Sequence, residues 1–65
     1  MQFIKVTLSI RPDVQLIIPK QKILEIRGSK VGNTDCSITY EVRGQLAIVE
    51  VTEDIDTITT MLKNA

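Results

Sequence analysis

The sequence VEVTEDIDTITTMLKNA, residues 49–65, decides the fold because its apolar spacing changes partway along. Val49 and Val51 lie two residues apart, which is the period of a strand with one buried face. The apolar residues that follow are separated by three or four positions, the period of a helix that packs on one side; they are Ile55, Ile58, Met61 and Leu62. The segment therefore predicts a strand that leads directly into a short amphipathic helix.

The polar residues of the same segment predict where this helix begins. Thr52 stands at the expected N-cap, and Lys63 lies in the last turn, where a cation complements the helix dipole. Acidic side chains fill the predicted first turn, namely Glu53, Asp54 and Asp56. A helix of about ten residues is too short to be stable alone. Its apolar stripe therefore needs a surface, and we expect the open face of a sheet to supply it.

Five segments upstream alternate apolar and polar residues, as strands with one buried face do. They are FIKVTLSI (3–10), VQLII (14–18), ILEIR (23–27), CSITYEV (36–42) and LAIVEV (46–51). Alternation places Ile10 on the inward face of the first strand. In ILEIR two registers remain open, with either Leu24 and Ile26 or Ile23 alone facing inward. Both faces of the last strand are largely apolar, which predicts a strand that is central in its sheet or covered by the helix.

The connections between these strands are short and polar. Turns are predicted at 11–13, at 20–22 and at 43–45, where Gly44 supplies a positive φ. Residues 28–35, GSKVGNTD, are expected to form the longest loop. The predicted fold class is α+β. We expect one domain over residues 1–65, with a mostly antiparallel five-stranded β-meander, barrel-like closure left open, and one C-terminal helix packed on it.

A chain of 65 residues buries only about 60% of the surface that its unfolded form exposes, so its stability needs support. Disulfides, metals and oligomerisation are the usual means. The sequence has one cysteine and no histidine, which excludes an intrachain disulfide and a Cys/His metal site. Self-association remains, and we expect a homo-oligomer, either a dimer or a larger assembly.

Catalysis is the class that the sequence favours least. Without histidine the commonest general base is missing, and no Ser-His or Cys-His pair can form. Cys36 alternates with apolar residues of its strand, which indicates a buried thiol rather than a nucleophile. The acidic residues at 53–56 are better explained by their favourable interaction with the helix dipole than by a cation site. No phosphate-binding glycine motif occurs, so we expect no enzyme activity, metal or cofactor.

The charges are unevenly distributed along the chain. Residues 1–34 carry six basic and two acidic side chains, and residues 35–65 carry two basic and six acidic ones. A basic cluster within the first half is a candidate site for a polyanion or a partner; it comprises Lys20, Lys22, Arg27 and Lys30. Nucleic-acid binding through this cluster is the main alternative function. A pI near 6.1 and only two aromatic residues weigh against it.

Phe3 and Ile17 lie on strand faces that should be polar, which makes them candidate interface residues. Together with the apolar strands they favour a non-enzymatic binding or assembly module that acts through homo-oligomerisation or a protein partner. A second alternative is a phage-type inhibitor or a protein that sequesters a small ligand. The single thiol and the lack of a secretory signal pattern or a long apolar run predict a cytoplasmic protein without a membrane span.

Two stretches carry a resemblance to known proteins. These are LIIPKQKILEIRG, residues 16–28, and VEVTEDIDTI, residues 49–58. With the opening FIKVTLSI and the glycine-tipped hairpin, they resemble the small FlbD/SwrD-type proteins linked to flagella, and also short bacterial and phage proteins of similar layout. Val51-Thr52 departs from the family pattern, which usually has Glu-Ser there. The resemblance implies the same small fold, a cytoplasmic setting and a non-enzymatic role.

Overall fold

The computed structural model describes residues 2–64 and contains five strands and one α-helix. The strands are β1 (Phe3–Thr7), β2 (Gln15–Pro19), β3 (Ile23–Val31), β4 (Thr34–Val42) and β5 (Gln45–Val51). The helix α1 spans Ile55–Asn64, and a 3₁₀ turn at Lys20–Lys22 joins β2 to β3. All strand pairings are antiparallel. The predicted α+β class, the mostly antiparallel strands and the C-terminal helix are confirmed.

The strands form two sheets, one of β1 and β2 and one of β3, β4 and β5 in that order. A single bridge between Leu8 and Val51 connects the two sheets. Over residues 2–64 the sheets do not close into a barrel, so the barrel-like closure that the sequence left open is not found there.

The core lies between the two sheets and the helix. Its side chains are at most 2% exposed and come from all three layers: Ile4, Val6 and Ile18 from the small sheet, Cys36, Ile38 and Val51 from the large sheet, and Ile58 from the helix. The helix contacts β1 and β3, and Gly28 of β3 lies beside Ile55. The predicted docking of the helix is confirmed for Ile58, Met61 and Leu62, which pack in or against the core, whereas Ile55 is 41% exposed.

Ile10 is 86% exposed, so its predicted inward position is wrong. β1 ends at Thr7, and the chain bends at Ser9 before the turn at 12–13. That turn is closed by the N–H of Val14, which donates to the carbonyl of Arg11 at 2.9 Å. Because the turn draws the chain away from the sheet, the alternation of apolar and polar residues continues in the sequence beyond the end of β1.

β3 adopts neither of the two predicted registers. Ile23 lies opposite Tyr40, Ile26 lies opposite Ile38, and a register shift separates Ile23 from Glu25. Such an irregularity changes which face successive side chains occupy. Leu24 is consequently 59% exposed, while Ile23 and Ile26 both pack against the core.

The predicted loop at 28–35 is wrong, because most of these residues belong to a hairpin. β3 extends to Val31, β4 starts at Thr34, and only Gly32 and Asn33 form the turn. Gly32 has a φ of 60°, a value that glycine adopts without strain. Thr34 is buried and donates its hydroxyl hydrogen bond to Ser9 Oγ at 2.8 Å. The predicted turn at 43–45 is tighter than expected, with Arg43 and Gly44 at φ values of 53° and 79°.

The helix N-cap is Asp54, not Thr52. The helix begins at Ile55, and the N–H of Thr57 donates to Asp54 Oδ1 at 2.8 Å. Thr52 lies three residues before the first helical residue. Its N–H donates to the carbonyl of Thr7 at 3.1 Å, which continues the contact between β5 and β1. The strand-like pairing therefore extends farther than the sequence suggests, and the helix starts later.

Candidate interaction surface

β5 lies at an edge of the three-stranded sheet and is covered on only one face. Its side chains Leu46 and Ile48 point away from the core, and each is 72% exposed. The helix packs on the opposite side, against β1 and β3. The prediction that both faces of β5 are buried, in a strand that is central or covered by the helix, is therefore wrong.

We call the face of the large sheet that carries Leu46 and Ile48 the outer face. Cross-strand pairing sets Ile48 beside Thr39 and Leu46 beside Glu41. Two open depressions, of about 340 and 410 Å³, meet at Ser37 and Ile48. The first reaches Leu8, Ser9, Ile10 and Glu50, and the second reaches Glu25, Arg27 and Ser29. The outer face is thus a shallow aliphatic strip with polar and charged margins.

The backbone edge of β5 is open next to this strip. Ser9 N–H donates to the carbonyl of Glu50 at 3.0 Å, so the polar groups of Glu50 point toward β1. In an antiparallel strand alternate residues direct their N–H and C=O groups to the same side. Leu46 and Ile48 therefore direct theirs to that side as well. Among residues 2–64 no strand pairs with β5 there beyond the Leu8–Val51 bridge.

Two of the other three outer strands carry features that impede strand pairing. Pro19 ends β2 and has no N–H to donate. β3 contains two register shifts, between Ile23 and Glu25 and between Gly28 and Val31, and such irregularities interrupt an edge. β5 has neither feature, since its pairing with β4 is continuous from Gln45 to Val51. The remaining edge strand, β1, is contacted at Thr7 by Thr52 and Glu53. Among residues 2–64, β5 thus offers a regular edge that is free from Gln45 to Val49.

The basic residues singled out from the sequence lie on two elements and are partly ion-paired. Lys22 Nζ lies 3.3 Å from Glu41 Oε1, and Arg27 Nε lies 3.0 Å from Glu25 Oε1. Lys20 shares the 3₁₀ turn with Lys22, and Lys30 lies on β3 with Arg27. Two of the four cations therefore have a carboxylate beside them, which lowers the positive potential of the cluster.

Phe3 and Ile17 are exposed, at 46% and 56%. They lie on the small sheet, where Phe3 is opposite Pro19 and Ile17 is opposite Lys5. Leu46 and Ile48 are more exposed and lie on the large sheet. Sequence reasoning missed the latter pair as interface residues. The signal was present in the apolar character of both faces of β5, but it was interpreted as burial on both sides.

Cys36 and the acidic residues near the helix serve the fold. Cys36 is fully buried, and this burial, with the nearby carboxylates of Asp35, Asp54 and Glu53, raises the pKa of its thiol. A buried neutral thiol is a poor nucleophile. Glu53 accepts the N–H of Thr7, and Asp54 caps the helix. Within residues 2–64 no group of three potential metal ligands is found.

No family model, curated protein or solved structure matches the chain. Over residues 2–64, none of the helices has the length and apolar character that crossing a membrane requires.

Proposed function

We propose that this protein is a non-enzymatic assembly module that associates with another polypeptide through the outer face and the open edge of β5. The favoured partner is a second copy of the same chain. The observation that carries the proposal is the coincidence of two features on one strand, a regular unpaired backbone edge and two aliphatic side chains that are 72% exposed.

Both features favour contact with protein rather than with a small molecule. An open edge offers N–H and C=O groups to an extended strand, and neighbouring side chains add apolar contact. The depressions beside Ile48 are open at the surface, whereas small-ligand sites usually enclose most of the ligand. This contrast supports strand addition over sequestration of a ligand.

The basic cluster supports nucleic-acid binding less well. Lys22 and Arg27 each lie beside a carboxylate, and phosphate binding would have to displace these contacts. Cys36, fully buried, offers no support for a thiol-dependent reaction. Association through β5 therefore explains more of the observed surface features than nucleic-acid binding or a thiol-dependent reaction does.

Light scattering coupled to size-exclusion chromatography tests the proposed function. One strand edge and two aliphatic side chains per copy form a small contact, and small interfaces are typically weak. We expect the mass of the full chain to rise from 7.3 kDa toward twice that value as the concentration increases between about 1 µM and 1 mM. A monomer mass throughout this range would contradict self-assembly.

A further inference from the structure

We infer that two copies join by antiparallel pairing of β5 with β5, about a twofold axis that passes beside Ala47, into one continuous sheet. This inference rests on the proposed function and specifies its geometry. It assigns Leu46 and Ile48 as mutual partners across the axis.

The limits of the open edge define the pairing. On one side the open segment starts at Gln45, directly after the turn formed by Arg43 and Gly44. On the other side it ends at Val49, because Glu50 is already bonded to Ser9. Ala47 is the midpoint of these residues. A twofold axis there places the whole open segment of one copy against the whole open segment of the other.

Shifted registers fit less well. Centring the axis on Ile48 would place Leu46 of the second copy opposite Glu50, where Ser9 already occupies the edge. Centring it on Leu46 would place Gly44 of the turn opposite Ile48 and leave Val49 without a strand partner. Only the register centred on Ala47 places Leu46 of one copy opposite Ile48 of the other.

The backbone of Leu46 and Ile48 suits this register. Both residues direct their N–H and C=O groups to the open side, so they meet as a hydrogen-bonded pair that exchanges both bonds. Their side chains lie on the outer face of both copies and cover each other's exposed aliphatic surface. Cross-strand contact between aliphatic side chains is the ordinary unit of sheet stabilisation.

Charge is also complementary along the strand. Arg43 lies at the turn that precedes β5, and Glu50 lies near its other end. Antiparallel pairing brings the Arg43 end of each copy beside the Glu50 end of the other. Opposite charges thus approach at both ends of the contact, whereas parallel pairing of the same edges would bring like charges together.

Cysteine cross-linking tests the register on the full chain. In this register Ala47 of one copy lies opposite Ala47 of the other in a non-hydrogen-bonded pair. The two Cα atoms of such a pair are about 4.5 Å apart, which is within the range that a disulfide spans. We expect Ala47→Cys to form a disulfide dimer under mild oxidation. Cys36 does not compete because it is fully buried. Leu46→Cys and Ile48→Cys are the matched controls. In each of them the two introduced cysteines lie diagonally across the strand pair, not directly opposite, so we expect slower cross-linking.

The outcomes separate the two proposals. A dimer by light scattering together with preferential cross-linking of Ala47→Cys supports both. A dimer in which Ala47→Cys stays reduced, or in which a control variant cross-links faster, overturns the register but leaves the proposed function intact. A monomer at all concentrations overturns both.

A proline variant tests the backbone edge without a new thiol. Because the N–H of Ile48 points to the open side, Ile48→Pro removes no hydrogen bond to β4, and proline is tolerated in that position of an edge strand. We expect a folded protein whose dimer dissociation constant is at least about tenfold higher than that of Ile48→Ala, which loses the side chain but keeps the N–H. Val49→Pro is the contrast, since its N–H points to β4 and its loss should disrupt the sheet. A folded Ile48→Pro with the same dissociation constant as Ile48→Ala would contradict edge pairing.

Discussion

Both carboxylate oxygens of Glu53 accept the backbone N–H of Thr7, at N···O distances of 2.9 and 3.1 Å. This contact joins the end of β1 to the segment between β5 and the helix. It lies next to the Leu8–Val51 bridge and the hydrogen bond from Thr52 N–H to Thr7 O. These hydrogen bonds thus link the end of β1 to the end of β5 and to the segment that leads into the helix.

Removing this carboxylate should destabilise the fold. Glu53→Ala leaves the half-buried N–H of Thr7 without its acceptor, and hydrogen bonds to charged groups contribute about 1.5–3 kcal/mol. We expect the free energy of unfolding in urea to fall by that amount. Glu53→Gln keeps one side-chain oxygen and should lose less, so equal losses for the two variants would argue against a role for the hydrogen bond.

The helix cap predicts a dependence of stability on pH. Hydrogen bonding to Thr57 holds the pKa of Asp54 below its ordinary value, and the charge of Lys30 acts in the same direction. The folded state therefore binds this proton less readily than the unfolded state does, and the contribution to stability is present above the unfolded pKa. We expect it to be lost as the pH falls below about 4, the ordinary pKa range of an aspartate.

Asp54→Asn isolates this contribution, because asparagine caps a helix without titrating. Thermal unfolding followed by circular dichroism between neutral and acidic pH should show that the difference between wild type and variant shrinks in acid. A difference that does not change with pH would contradict the contribution of the Asp54 charge.

The helix contact with the sheets depends on Ile58, which is fully buried. Ile58→Asp would place an unpaired charge in the core, at a cost of several kcal/mol. Since a chain of this size has little stability to lose, we expect the far-ultraviolet circular dichroism of an unfolded protein. Thr59→Asp, at an exposed position of the same helix, is the control and should remain folded. A folded Ile58→Asp variant of normal stability would mean that the helix is not docked.

A pair of surface variants distinguishes the two candidate interfaces. Ile48→Glu adds a charge to the outer face and should abolish the dimer while the fold is retained. Ile17→Glu changes an exposed isoleucine of the small sheet and should leave the dimer intact. Sedimentation velocity at matched concentrations checks both. Loss of the dimer only in Ile17→Glu would move the interface to the surface that includes Phe3.

Features that depend on side-chain period could be predicted from the sequence. The spacing around Cys36 and Ile38 and the helical spacing at Ile58 each define one apolar face, and these residues form the core. Gly44 supplies the positive φ that the short hairpin requires. Local chemistry alone therefore gives the order of the strands and the helix.

Features that depend on distant contacts could not be predicted in this way. The helix starts at Ile55 because Thr52 remains paired with Thr7, a residue at the other end of the chain. The irregular pairing of β3 places both Ile23 and Ile26 inward, which no single alternation pattern allows. Because both faces of β5 are apolar, only the position of the other layers determines that Ile48 is the exposed side chain.

Amide hydrogen exchange at β5 tests the central claim most directly. The N–H groups of Ala47 and Val49 point to β4, so we expect them to be protected at every protein concentration. Those of Leu46 and Ile48 point to the open edge, so we expect fast exchange in dilute solution and protection that grows with concentration as dimers form. If the N–H groups of Leu46 and Ile48 still exchange fast at high concentration, in a sample whose mass is that of a dimer, pairing through this edge is contradicted.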